Sequence, residues 1–196
     1  MEQSLLDGNG RRLYLMPIES QAFLDAALFA RGKTASMCAV LVLTGARISE
    51  VLALTPERLD DANSAIVFKT LKQRTHCTNR AIPVPPSFLD YLDMVHHFRE
   101  AQRDPKRANK RLWTWSRTTA WRRVKAIMLA ASVPRHISKP RALRHAFGAK
   151  AVLADVNLTM IQRWLGHRRI ETTLRYTTII GQEERALARR MIVGGW

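Results

Sequence analysis

The sequence is poor in acidic residues, in cysteine and in long apolar runs. Only 16 Asp and Glu stand against 32 Lys and Arg, which excludes an acidic chain. The two cysteines, Cys38 in an apolar run and Cys77 in a polar stretch, do not form the pattern of a disulfide framework. No apolar run approaches the roughly 20 residues of a membrane-spanning helix, and no signal peptide is visible. We therefore expect a soluble, cytoplasmic protein without a membrane partner.

Positive charge is what the chain has in excess, with a formal net charge of +16 over 196 residues. The basic residues are spread along the chain, which favours a folded polyanion-binding domain over a disordered basic arm. Nucleic acid is the expected partner, with binding that weakens steeply as salt is added. A ribosomal-type protein and a membrane-surface binder are the alternatives. The length predicts one domain, or one large and one small.

The residues 139–176 form the stretch around which the sequence is organised. Helical spacing places Arg141, Arg144, His145 and Gly148 on one face. Guanidinium groups match phosphate oxygens bidentately, and a glycine permits close approach, so this face is suited to hold a phosphate. Tyr176 follows downstream, and its oxygen is a plausible nucleophile at such a phosphate. The opposite face carries Leu143, Phe147, Ala151 and Ala154, which we expect in the core.

Periodicity predicts a mainly α-helical chain with a small antiparallel β-sheet. Two runs rich in β-branched residues, 64–71 and 80–84, predict strands joined by a polar hairpin tip. The basic segment 99–111 is predicted to be a loop, and Trp121 is expected to face inward. Helices are predicted over about 20–31, 34–43, 48–54, 86–95, 117–128, 141–154, 158–165, 173–176 and 183–192.

Three segments, TGARISEVLAL, ALRHAFGAKAV and WLGHRRIETTLRY, occur in this order. Together they resemble the conserved boxes of the tyrosine recombinase (phage integrase) family, and the resemblance runs from about residue 11 to 185. It implies the family's catalytic domain over 1–185, an α+β fold of helices with a small sheet. It also implies site-specific DNA recombination, in which DNA is cut and rejoined through a 3′-phosphotyrosyl intermediate without a cofactor.

The resemblance assigns roles to individual residues. Tyr176 would attack a DNA phosphate and leave a free 5′-hydroxyl. Arg47, Arg144 and His167 would stabilise the charge on the phosphate oxygens. Glu50, three residues after Arg47, would orient that arginine.

A lysine on the β-hairpin supplies the proton for the leaving oxygen in this family, and we assign Lys72 to that role. Lys69 lies on the same strand, but Lys72 is nearer the tip, where DNA could reach it. The hairpin is longer than the form that is common in the family.

The second box departs from the family pattern at one position. The family usually has His-x-x-Arg, whereas this chain has Arg141 before Arg144. Arginine cannot act as a general base at neutral pH. Activation of Tyr176 would then depend on the electrostatics of the phosphate site, on His145, or on water. We expect Arg141 to be a third phosphate donor; the alternative is that arginine is merely tolerated there.

The family resemblance also sets expectations about partners. Four protomers act on two DNA duplexes, and the segment 186–196 is a candidate to dock on a neighbouring protomer, or else to pack on its own domain. No N-terminal core-binding domain precedes the boxes, so the chain is expected to be either a minimal recombinase or a fragment, with specificity that depends on an accessory DNA-binding protein.

Two other classes of function are alternatives to recombination. A non-catalytic DNA-binding protein with a degenerate site is one alternative, and relaxation of supercoils by a type IB topoisomerase is another. No metal site is expected, because the available residues lack zinc-ligand spacing. Those residues are His76, Cys77, His96 and His97.

Overall fold

The computed structural model describes residues 5–69, 79–177 and 188–189. Within these residues the chain is mainly helical, with a three-stranded antiparallel sheet, as predicted. No helix in these ranges is long and apolar enough to cross a membrane. Lys72 and Cys77, most of the predicted helix 183–192 and most of the tail 186–196 lie outside the described residues.

The core is built on helix α2 (Gly32–Thr44), which packs against α1 (Pro17–Phe29) and is apolar nearly all round, as expected. Gly45 ends α2 in the left-handed region with φ 59°, where a side chain would be strained. Both helices begin earlier than predicted. The α1 helix starts at Pro17 because the Glu19 carboxylate caps it: Glu19 Oε2 accepts a 2.7 Å hydrogen bond from the Met16 N–H.

The sheet lies beyond a short helix, α3 (Ile48–Val51), which ends before the predicted residue 54. The three strands of the sheet pair in chain order, with Ile66 opposite Ile82. The first strand is only two residues long and was not predicted, since so short a run carries no periodicity. The strands are β1 (Leu59–Asp60), β2 (Ala65–Lys69) and β3 (Asn79–Pro83).

The prediction of a loop over 99–111 is wrong, because two short helices occupy much of this segment. Phe98 and Ala101 are buried, and this apolar anchorage orders the basic segment. Arg99 is further fixed by hydrogen bonds to Asp61 and Asp90. The helices in this part of the chain are α4 (Pro86–His96), α5 (Phe98–Gln102) and α6 (Pro105–Ala108).

Helix α7 (Arg117–Ala130) begins as predicted at Ser116, whose side chain accepts from the Thr119 N–H. The prediction for Trp121 is wrong, because this side chain is 37% exposed. Its ring lies 5.0 Å from the Lys125 ammonium group, so an amphipathic side chain covers the aromatic face from the solvent side.

The segment that ends at Thr177 brings Tyr176 against the helix that carries Arg144 and His145. The predicted cap of α9 at Asn157 and its stop at Gly166 are confirmed. Tyr176, however, lies in a 3₁₀ turn and not in the helix predicted from 173, because α10 ends at Leu174. The elements are α8 (Pro140–Leu153), α9 (Leu158–Leu165), α10 (Glu171–Leu174) and the 3₁₀ turn Arg175–Thr177.

Candidate active site

Arg47 stands at the start of α3, where the chain leaves the turn at Gly45. Its backbone N–H donates to Glu50 Oε2 at 2.8 Å, and its Nη1 donates to Glu50 Oε1 at 3.0 Å. The Glu50 carboxylate therefore caps α3 and also orients the Arg47 guanidinium. The Arg47 side chain is 30% exposed, so it is accessible to a ligand.

Glu50 is held from its other side by Arg80, and both side chains are almost completely buried. The Arg80 Nη2 group donates to Glu50 Oε2 at 2.7 Å, and Nη1 donates to Oε1 at 3.2 Å. Burial alone would raise the pKa of Glu50, but hydrogen bonds and charge from Arg80 and Arg47 lower it, so the carboxylate stays ionised. Arg80 also donates through Nε to the Trp164 carbonyl at 2.7 Å. It thereby links the sheet to the end of α9.

Arg144 joins the first and third sequence boxes. Its Nη1 donates to the Gly45 carbonyl at 2.9 Å and its Nη2 donates to the Leu165 carbonyl. Burial, followed by the charge of Arg47, lowers the pKa of Arg144 to about 9, which leaves it charged at neutral pH. The fixed guanidinium is a preorganised positive group.

His167 follows the left-handed residue that ends α9. Its Nδ1 lies 2.9 Å from the Thr173 hydroxyl, which fixes the ring orientation. The imidazole lies parallel to the Tyr176 ring, with 6.2 Å between centroids and 12° between planes. Burial, then the charges of Arg144 and Arg47, lowers the pKa of His167 to about 3, so the imidazole is neutral near pH 7.

Tyr176 is only 1% exposed, and its hydroxyl lies 3.3 Å from His145 Nδ1. Burial raises the pKa of the phenol, while the positive charges of four arginines act to lower it. These four, in decreasing effect, are Arg144, Arg175, Arg141 and Arg47.

Arg141 and His145 lie one helical turn apart on α8 and contact each other. The Arg141 Nε group donates to His145 Nε2 at 3.0 Å. His145 is 5% exposed; burial, followed by the charges of Arg141, Arg175 and Arg144, lowers its pKa to about 3. The predicted polar face of α8 is thus largely enclosed, because Arg144 and His145 are both buried.

The structure brings most of the residues chosen from the sequence into one connected site. The phenol of Tyr176 lies beside His145 and His167 and within the field of Arg47, Arg141 and Arg144, and Glu50 holds Arg47. Lys72 lies outside the described residues, so its role stays a prediction. Such an arrangement can stabilise negative charge that develops on an oxygen or a phosphate close to the phenol.

Three further residues in this site were not identified from the sequence: Arg80, Thr173 and Arg175. A signal for Arg80 was present, since it alternates with Ile82 on the buried face of β3, and a charge at an inward position requires a partner. Thr173 and Arg175 carried no comparable signal, because their partners are set only by how α10 and the 3₁₀ turn pack. Among the described residues no group of three or more His, Cys, Asp or Glu could hold a metal ion.

The sequence matches the phage integrase family over residues 15–182, and the chain therefore belongs to that family. It is 28% identical over 147 residues to tyrosine recombinase XerD of Haemophilus ducreyi, covering 74% of this chain and 49% of that protein. It is 29% identical over 177 residues to the type 1 fimbriae regulatory protein FimE of Escherichia coli K12, covering 85% and 86%. The chain thus spans about half the length of the XerD relatives that it matches.

Solved structures share the fold. The XerA recombinase superposes with a TM-score of 0.76 at 20% identity, over 93% of this chain and 66% of that one. The catalytic domain of bacteriophage HP1 integrase gives a TM-score of 0.64 at 22% identity, over 90% and 93%. The predicted fold class, a tyrosine recombinase catalytic domain, is confirmed by these likenesses.

Proposed function

We propose that this chain is a site-specific DNA recombinase that cuts and rejoins double-stranded DNA through a 3′-phosphotyrosyl intermediate. The observation that carries the proposal is the placement of the Tyr176 hydroxyl 3.3 Å from His145, within the field of four arginines. A buried phenol surrounded by fixed positive charge suits attack on a phosphodiester better than it suits simple packing.

In the proposed reaction the Tyr176 oxygen attacks the scissile phosphorus, and the bond from phosphorus to the 5′-oxygen breaks. Arg47, Arg144 and His167 donate to the non-bridging oxygens, whose charge grows in the transition state. Arg144 uses two of its N–H groups on carbonyls, so its position is set before substrate binds. The phosphodiester energy is retained in the tyrosyl ester, so rejoining requires neither ATP nor another cofactor.

Two further assignments complete this scheme, one from the family resemblance and one from the chain's departure from it. Lys72 is proposed to protonate the leaving 5′-oxygen. Arg141 takes the place of the usual histidine and is proposed as a third positive group at the phosphate. Glu50 acts through Arg47, because it bonds both the backbone and the side chain of that residue.

A nicked suicide duplex tests the proposed chemistry, since loss of the short 5′ strand traps the covalent intermediate. We expect wild-type protein to form a denaturation-resistant protein–DNA adduct, and Tyr176→Phe to form none while it still binds DNA. Tyr91→Phe is the matched control, because Tyr91 packs against Phe88 away from this site. An adduct that persists in Tyr176→Phe would refute the assignment. DNA binding without any wild-type adduct would favour the non-catalytic alternative.

Intact duplexes distinguish the enzyme classes. Two DNA molecules with recombination sites should exchange strands, whereas relaxation of a supercoiled plasmid without exchange would indicate topoisomerase-like activity. The DNA that flanks the natural coding region is the first substrate to use. Tight, salt-resistant and sequence-specific footprinting by the chain alone would contradict the expected need for an accessory DNA-binding protein.

The proposal extends to assembly. We propose that four copies act on two duplexes at the nucleoid, and that the segment 186–196 docks on a neighbouring copy. Deletion of 186–196 should leave single-site binding intact and abolish the higher complexes, as measured by the mass of the protein–DNA assemblies. Unchanged complexes would show that this segment is dispensable for assembly.

A further inference from the structure

We infer that Arg141 fixes the tautomer of His145, so that His145 donates a hydrogen bond to the phenol oxygen of Tyr176 and does not act as its base. This inference rests on the proposed function, which makes Tyr176 the nucleophile. Arg141 and His145 then position the nucleophile together. The histidine that the family usually has in place of Arg141 could not position it in the same way.

Arg141 and His145 are in hydrogen-bond contact. The Arg141 Nε lies 3.0 Å from His145 Nε2. A guanidinium group carries only N–H donors and has no acceptor. His145 Nε2 must therefore be the acceptor in this bond, and an acceptor nitrogen carries no hydrogen.

The other ring nitrogen of His145, Nδ1, carries the hydrogen. A neutral imidazole has one N–H, and if Nε2 accepts, then Nδ1 holds the hydrogen. His145 is buried, and the charged groups facing it are all basic: Arg141 and Arg144 on α8 and Arg175 on the 3₁₀ turn. Tyr176 and His167, the other titratable groups beside it, are neutral in the resting site. A positive imidazolium is disfavoured there, and the neutral form with hydrogen on Nδ1 remains.

The hydrogen on His145 Nδ1 points to the nucleophile. His145 Nδ1 lies 3.3 Å from the Tyr176 hydroxyl oxygen, so the N–H donates to the phenol. The bond strengthens when the oxygen becomes negative, because hydrogen bonds to ionised acceptors are about twice as strong as neutral ones. As Tyr176 attacks, its own proton passes to water, and the bond between the phenol oxygen and phosphorus forms. Arg141 thus acts on the nucleophile through His145.

Nitrogen-15 NMR of histidine in the whole chain reads the tautomer directly, without any DNA cleavage. The His145 signals are assigned by their loss in His145→Gln. We expect wild type to show a protonated Nδ1 and an unprotonated Nε2. Arg141→Met has similar length but no donor, so it should move His145 to the form with the hydrogen on Nε2. Arg141→Lys retains a group that can only donate, and it should keep the wild-type tautomer.

The pH profile of suicide-substrate cleavage provides the second readout. Loss of the donor to the phenolate should shift the rising limb of the Arg141→Met profile by about one pH unit to higher pH, with roughly tenfold slower cleavage near neutrality. Arg141→Lys should recover most of that shift. A structural role for Arg141 would lower the rate without moving the profile.

The outcomes separate this inference from the proposed function. A wild-type His145 protonated on Nε2, or a tautomer that does not change in Arg141→Met, overturns the inference even if the adduct forms. The expected tautomers in a protein that forms no adduct would overturn the proposed function alone.

Discussion

The ring of Tyr176 packs directly on Gly148, so that a Cβ atom built at position 148 would lie only 2.5 Å from Tyr176 Cζ. The α8 helix approaches the phenol so closely because this position has no side chain. The same contact places the hydroxyl beside His145, four residues along the chain from Arg141 on that helix. Gly148 thus has a steric role in the site that its place in the sequence box alone does not explain.

Gly148→Ala should therefore displace the Tyr176 ring and slow cleavage. Overpacking of this kind costs about 1–3 kcal/mol, which corresponds to a rate loss of roughly ten- to a hundredfold if the cost falls on the reactive geometry. The measurement is the rate of adduct formation on the suicide duplex. Gly8→Ala is the control, since a Cβ there meets nothing within 4 Å and should leave the rate unchanged. Equal rates in the two variants would exclude a steric role for position 148.

Arg80→Met should destabilise the fold strongly, because it leaves the buried Glu50 carboxylate without its bidentate partner. Breaking a buried pair on one side costs about 3–5 kcal/mol, measured as the free energy of unfolding in urea. Arg107→Met is the matched control: its pair with Glu100 has the same 2.7 Å length but is exposed to solvent, so a far smaller loss of stability is expected. Similar losses of stability in both variants would contradict a stabilising role for the buried pair of Arg80 and Glu50.

The double variant Arg80→Met with Glu50→Gln should regain part of the stability lost in Arg80→Met. It removes the uncompensated buried charge, although the amide cannot match every hydrogen bond that the carboxylate makes. Its cleavage rate should stay low, because Arg47 loses the ionised partner that orients its guanidinium. Recovery of full cleavage in the double variant would show that Glu50 does not position Arg47.

The buried histidines predict a loss of stability as the pH falls. His145 and His167 have pKa values lowered from 6.5 to about 3. Below pH 6.5 the unfolded chain takes up protons on these groups, whereas the folded chain does not until about pH 3, so unfolding is favoured progressively across that window. For the buried His145, the free energy of unfolding changes by an amount that approaches about 1.4 kcal/mol per pH unit.

Urea unfolding between about pH 7 and pH 5 measures this effect above the range in which most carboxylates titrate. His145→Gln should make the free energy of unfolding less dependent on pH, because glutamine does not ionise and the contribution of this one group is lost. A pH dependence that is the same in wild type and in His145→Gln would contradict a neutral, buried His145.

Arg47 is partly exposed, so we expect it to contribute measurably to the affinity for DNA. Affinity for a duplex should fall by a factor of hundreds or more as salt rises from about 50 to 200 mM. Arg47→Gln should reduce the slope of log affinity against log salt by about one, because one phosphate contact is lost. Fluorescence anisotropy of a labelled duplex gives the slope. Arg11→Gln, in the turn closed by Asp7, is the control and should leave it unchanged.

Much of the site was predictable because the chain marks its own element ends. Gly45 and Gly166 stop helices in the left-handed region, and Arg47 and His167 follow them closely in the sequence. The Asn157 and Ser116 caps were readable for the same reason, since their side chains bond backbone only two or three residues away. The predicted loop 99–111 failed because its order comes from the burial of Phe98 and from contacts to Asp61, which is distant in sequence.

The sequence by itself determined the class of protein, the net charge of +16 and the order of the three boxes, because these are properties of composition and local spacing. The tertiary structure alone decided which groups meet. Arg144 reaches a carbonyl 99 positions away, Arg80 reaches a carboxylate 30 positions away, and Tyr176 meets His145 from a 3₁₀ turn. Such contacts depend on how helices and sheet pack together, and no periodicity along the chain encodes them.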